Sequence, residues 1–130
     1  KIRVSSLIDL FTNIAEKFDA TYAAAIVLRN YILARNTYYS SLLKSEHQRI
    51  EPGYWNGIPN CPSWLTWFGR DYSKLLHSYL IDSGYMVYES KCGTLIQLGD
   101  KPMNMDELHP IYPSFPKEFI QPATIVPKLG

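Results

Sequence analysis

The chain has 130 residues, 46% of them hydrophobic and 19% charged, and a formal charge of +1 from 13 Lys and Arg against 12 Asp and Glu. That composition excludes a disordered tail or linker, and a domain of this length can hold its core by packing, without disulfides or a metal. So small a net charge gives no general field to attract phosphates or anionic lipid, which counts against generic nucleic-acid and membrane-surface binding.

The longest uninterrupted apolar stretch, Tyr22–Leu28, is far short of the roughly 18 residues a membrane span requires, and the N-terminus shows no signal-peptide pattern. These features predict a soluble cytoplasmic protein. The chain opens on Lys1 and not on methionine, which leaves room for a preceding segment. All seven glycines and all nine prolines follow position 51, so an unbroken first part precedes a heavily turned second part. Neither part is long enough to hold a good core alone, and the two read as layers of one domain spanning residues 1–130.

Leu7, Leu10, Phe11, Ile14 and Phe18 recur at helical spacing, and Ser6 with Asp9 makes a capping-box-like start, which predicts a helix over 6–18. Tyr22, Ile26, Val27, Tyr31 and Ile32 suit either a buried strand or a second helix; a strand over Thr21–Leu28 is the reading we take. Asn30–Arg49 is more polar, with Tyr38, Tyr39, Leu42 and Leu43 as the apolar part of another expected helix. The proline-rich run Glu51–Ser63 predicts an exposed loop.

Next, Trp64–Gly69 is rich in strand formers. Asp71 is then placed to cap a short helix carrying Tyr72, Leu75, Leu76, Tyr79 and Leu80 on one face. Asp82, Ser83 and Gly84 form a turn, and Tyr85–Glu89 and Thr94–Leu98 read as strands joined through Gly93. Beyond Gly99 the chain is expected to be mostly irregular. The sum is an α+β fold with helices packed on an antiparallel sheet.

Catalytic motifs are sparse. His47, His77 and His109 stand about thirty residues apart, and Cys61 and Cys92 are equally isolated, so the short ligand pairs of zinc sites are missing. Both cysteines read as small apolar groups, with no disulfide expected in a cytosolic setting. There is no G-x-S-x-G elbow and no glycine-rich phosphate loop, and no cofactor is expected. The sharpest enzyme hypothesis is a metal-dependent nuclease in which Asp82 and Glu89 hold Mg²⁺ and Lys91 sits beside the attacking water. The alternative is an ordinary strand with Tyr85, Val87 and Glu89 on one face and Met86, Tyr88 and Ser90 on the other.

Aromatics make up 14% of the chain, and several gather around the proline loop. Trp64, Trp67 and Phe68 read as core, whereas Tyr54 and Trp55, lying in the loop, are the better interface anchors.

The segments GIPNCPSWLTWFG and GTLIQLGDKPMNMDELHPIYPSFPKEF resemble the immunity proteins of bacterial type VI secretion that neutralise VRR-type nuclease effectors. The matching residues are Trp64-Leu65-Thr66 with Phe68-Gly69, then Gly93, Ile96, Gly99 and Pro102, then a polar turn and Tyr112; Leu7–Ala25 resembles the helix and segment preceding them. The resemblance implies an α+β protein without catalytic residues that binds a cognate toxin in the cytoplasm and blocks its active site or substrate channel. Charge adds to this, because residues 1–50 carry seven basic and four acidic groups and residues 51–130 carry six and eight. Asp100, Asp106 and Glu107 around the Pro102 turn are therefore expected, with Tyr54 and Trp55, to meet a basic toxin surface.

Overall fold

The computed structural model describes residues 3–27, 31–34, 37–40, 46–47, 58, 62–108, 110–112 and 115–119. Helix α1 spans Val4–Lys17 and is followed by strand β1, Tyr22–Ala25. Strands β2 (Tyr31–Ala34), β3 (Thr37–Ser40) and β4 (Glu46–His47) come next. The second half runs β5 (Leu65–Gly69), helix α2 (Arg70–Asp82), β6 (Met86–Glu89) and β7 (Gly93–Gln97), then the short helix α3 (Met105–Leu108) and a 3₁₀ turn at Lys117–Phe119. The main sheet has the order β1-β5-β7-β6 with every neighbouring pair antiparallel, and β2-β3-β4 form a second antiparallel sheet. The fold is α+β, as the sequence predicts.

Every residue of β5 and β7 is buried, with α2 packed on one face of the pair and α1 on the β5 side of the other. Side chains alternate across a strand, so Trp67 and Leu95 point towards α1 while Phe68, Thr94 and Ile96 point towards α2. On the α2 side the Phe68 ring lies 6.4 Å from that of Tyr72, and the hydroxyls of Ser73 and Thr94 share a hydrogen bond. The C-terminal segment closes the same side, with the Phe115 ring edge-on to Phe68 at 5.7 Å. Full burial of side chains such as Leu65, Phe68, Ile96 and Leu98 contributes about 1.5–3 kcal/mol each.

Helix α1 ends without a glycine. Asp19 takes a left-handed conformation at φ 47°, the Ala20 amide donates to the Ala15 carbonyl at 2.9 Å, and the Asp19 amide donates to that of Glu16 at 3.1 Å. This is a Schellman stop with aspartate in the position glycine usually fills. It turns the chain into β1 so that the Ala20 carbonyl accepts a hydrogen bond from the Trp67 indole at 3.1 Å. Gly93 makes the other side of that contact possible, since a Cβ there would lie 2.2 Å from the Phe68 carbonyl oxygen and 2.7 Å from the Trp67 ring.

Several expectations change. Helix α1 starts after Arg3 with no side-chain cap, so Ser6 and Asp9 are helix-body residues and not a capping box. The helix carries two apolar stripes, and the structure buries the one through Val4, Leu7, Ile8, Phe11 and Ala15. Leu10, Ile14 and Phe18, 57%, 49% and 75% exposed, lie on the outer stripe, because one helix face reaches the sheet and periodicity alone did not say which.

The stretch 30–49 is not a helix: where it is described it forms β2, β3 and β4, in keeping with strand formers such as Tyr31, Ile32, Thr37, Tyr38 and Tyr39. The proline-rich loop is not simply exposed, since Ile58, Pro62 and Ser63 are buried; the rest of it lies outside the described residues. Gly69 and not Asp71 occupies the N-cap of α2, which leaves Asp71 in the first turn, where its charge suits the helix dipole. Leu75 is exposed, while Leu76 and Leu80 form the buried face. Trp64, Trp67 and Phe68 are core residues as expected. Cys92 is a half-buried free thiol packed against the core, and Cys61 lies outside the described residues.

Two outcomes test this packing. Gly93→Ala should cost about 3 kcal/mol in urea unfolding because backbone must move. Gly84→Ala, at φ +77° with open space around it, should cost only about 1 kcal/mol. Burial also pushes the Tyr22 hydroxyl well above the usual tyrosine range, with a Ser63 hydrogen bond partly opposing the shift. An acid whose folded pKa is raised lends its stabilisation in full below the unfolded value and loses it progressively above. Stability should therefore fall as pH climbs past about 10, and Tyr22→Phe should make that fall shallower when unfolding is measured on both sides of this pH.

Candidate functional site

Helix α1 crosses one face of the main sheet but covers only its β1–β5 side. An open groove of about 560 Å³ is left between α1 and strands β7 and β6. The helix lines it with Ser5, Asp9, Thr12, Asn13 and Glu16, a polar stripe at spacings of three and four residues beside the buried apolar one. Trp67, Leu95 and Gln97 form the floor, and Tyr88, 53% exposed, stands on the far wall with Glu89 and Ser90.

The floor is rigid. Trp67 is held by its bond to Ala20, and Gln97 donates through Nε2 to the Gly99 carbonyl at 3.1 Å. Asp9 and Glu16 are seven residues apart, which places their backbone positions about 10 Å apart along the helix axis. The Glu89 carboxylate is engaged at the rim, 3.0 Å from His77 Nδ1 on α2. No Lys or Arg is among the described residues lining the groove.

The sequence-predicted interface residues are not assembled in one described place. Tyr54 and Trp55 lie outside the described residues. Asp100 is exposed, Asp106 is half-buried and makes an interaction of its own, and Glu107 has a structural job. The Glu107 amide donates to Asn104 Oδ1 at 3.0 Å and the Asn104 amide donates to Glu107 Oε1 at 3.2 Å, a reciprocal capping box at the start of α3. Asn104-x-x-Glu107 is legible in the sequence as that motif.

The nuclease candidates are likewise dispersed over different elements. Asp82 ends α2, Glu89 ends β6 beside His77, and Lys91 sits exposed in the β6–β7 turn. Among the described residues, no group of three or more His, Cys, Asp or Glu side chains is placed to hold a metal ion. His47 lies on β4, and His109 falls outside the described residues. The sequence reading does not single out the groove-lining Asp9, Glu16 and Tyr88, although helical spacing alone places Asp9, Thr12, Asn13 and Glu16 on one polar stripe.

The motif residues that carry the family resemblance are accounted for by the fold. Thr66 pairs with Ile96 and Gly69 with Gly93 across β5 and β7. Gly99 takes φ +79°, and Tyr112 packs on Tyr85 with ring centroids 5.8 Å apart. No family model, curated protein or solved structure matches the chain. Among the described residues, no helix is long and apolar enough to cross a membrane.

If Glu107 acts as a cap and not as an interface residue, Glu107→Ala should lower stability by about 0.5–1 kcal/mol. Asn104→Ala should cost more, because Asn104 is buried and its side-chain oxygen accepts the hydrogen bond from the Glu107 amide. Thermal melting of the two single variants checks both.

Proposed function

We propose that this protein is an immunity protein, a non-enzymatic binder that neutralises a cognate bacterial toxin in the cytoplasm, the toxin being a nuclease effector of the kind delivered by type VI secretion. The observation that supports the reading is the pairing of the two most specific motif elements. Trp-Leu-Thr and the start of Gly-x-x-Ile-x-x-Gly-x-x-Pro, separated in sequence by a helix and a strand, are brought together by the pairing of β5 with β7, Thr66 opposite Ile96. Neutralisation in this reading is occlusion: the protein covers the toxin's active site or its substrate-binding surface.

An inhibitor of a nuclease faces a surface built to hold phosphates, and carboxylates on a preformed frame meet that surface with complementary charge. The acidic stripe of α1 is consistent with this, as is Asp100 on its exposed turn.

The test is neutralisation with purified components and in cells. A toxin encoded beside this gene should form a stable complex with the protein and lose its nucleic-acid cleavage on mixing, and co-expression should restore growth of a toxin-producing host. Cleavage of DNA or RNA by the isolated protein in Mg²⁺, abolished by Glu89→Ala, would contradict the reading and support the nuclease alternative.

A further inference from the structure

The groove between α1 and the β7–β6 edge has the chemistry of a receptor for a cationic segment. Its size falls within the range of sites that enclose a few side chains. Its α1 wall carries Asp9 and Glu16, its floor includes the apolar Trp67 and Leu95, and the far wall offers the half-exposed ring of Tyr88 beside Glu89, whose carboxylate is paired with His77. The whole chain is nearly neutral at +1, so this local excess of carboxylate is not part of a general acidic surface.

We infer that this groove docks an extended basic segment of the partner protein, with one Arg or Lys reaching Asp9, a second reaching Glu16, and a cationic head group lying on the ring of Tyr88. The inference rests on the toxin-binding reading and gives it a surface. The spacing sets the pattern of the segment. Two acids whose backbone positions lie about 10 Å apart on a helix match basic side chains three positions apart on a segment in the polyproline II conformation, which has about three residues per turn and rises about 3.1 Å per residue. A guanidinium suits the site better than an ammonium, because it stacks on an aromatic face while its fork bonds a carboxylate. Thr12 and Asn13, between the two acids, offer neutral hydrogen-bonding groups to the segment's backbone. Phosphate-bearing ligands are disfavoured by the same two carboxylates. The helix and the sheet that frame the groove are already formed, so little backbone ordering falls on this side of the contact.

The experiment titrates isotope-labelled full-length protein with three acetylated, amidated peptides of equal length, built on repeats of Arg-Ala-Ala, Lys-Ala-Ala and Glu-Ala-Ala, and follows backbone shifts by NMR. The arginine peptide should shift residues 9–16 of α1 together with Tyr88 and Leu95, bind more tightly than the lysine peptide, and weaken in about 0.5 M salt. The glutamate peptide should leave these residues unmoved. The double variant Asp9→Asn with Glu16→Gln should keep a folded spectrum and bind the arginine peptide about fivefold more weakly or worse. Asp71→Asn with Glu118→Gln, two exposed acids outside the groove, should bind as the unmodified protein does. Shifts centred elsewhere, or equal affinity in the groove variant, would overturn the inference. Because the titration uses no toxin, a groove that binds the peptide stands even if co-expression fails to protect a cell. Conversely, a protein that protects cells with a groove that ignores the peptide loses this inference alone.

Discussion

The contact on which the rest of the structure depends is the seat of Trp67. Its indole lies over Gly93, where a Cβ would come within 2.7 Å of the ring, and its Nε1 proton is given to the Ala20 carbonyl at 3.1 Å. One side chain thereby joins three elements: the strand that carries it, the neighbouring strand beneath it, and the end of the helix that crosses above. The Schellman stop at Asp19 presents the Ala20 carbonyl at the right place, and the Gly69 amide bonded to the Thr21 carbonyl at 2.8 Å repeats the tie one step further along. Large aromatic area, one satisfied polar handle and no conformational slack make this a strong local constraint.

The groove follows from that seat. Because α1 is drawn over β1 and β5, it leaves the β6 side of the sheet open, and its polar stripe overhangs the gap. Among the described residues the opposite face is packed. There α2 and the C-terminal segment fill the space with Leu76, Leu80, Leu108 and Phe115, and Tyr79, Tyr85 and Tyr112 form a continuous ring cluster. The sheet thus has a packed structural face and a partly open one, and the acidic residues of the open face are carried by a helix whose other side packs on the core. Rigid placement of charge on a regular element is what a fast, selective electrostatic encounter needs.

The second half of the fold was largely legible in the sequence, because its signals were local and agreed with one another. Aromatic and β-branched residues bounded by Gly69, Gly84, Gly93 and Gly99 marked the strands, and the glycines stand where the turns and close approaches are. The first half was harder to read. Tyr31, Ile32, Tyr38 and Tyr39 have no glycine or proline near them to mark hairpins, so β2 and β3 passed for a helix. In α1 two apolar stripes competed, and only the tertiary contact with Trp67 selects between them. The capping role of Glu107 was hard to read for a related reason: acidic residues near a turn look alike in sequence whether they face a partner or cap a helix.

The seat of Trp67 can be measured directly through its indole proton, followed by hydrogen exchange in the native protein. If the ring is held between Ala20 and Gly93 as described, that proton should exchange as slowly as the β5 and β7 amides and gain access to solvent only on global unfolding. Exchange at the rate of a solvent-exposed indole, while those strand amides remain protected, would contradict the account. It would mean that α1 is not latched to the sheet and that the groove beside it has no fixed shape.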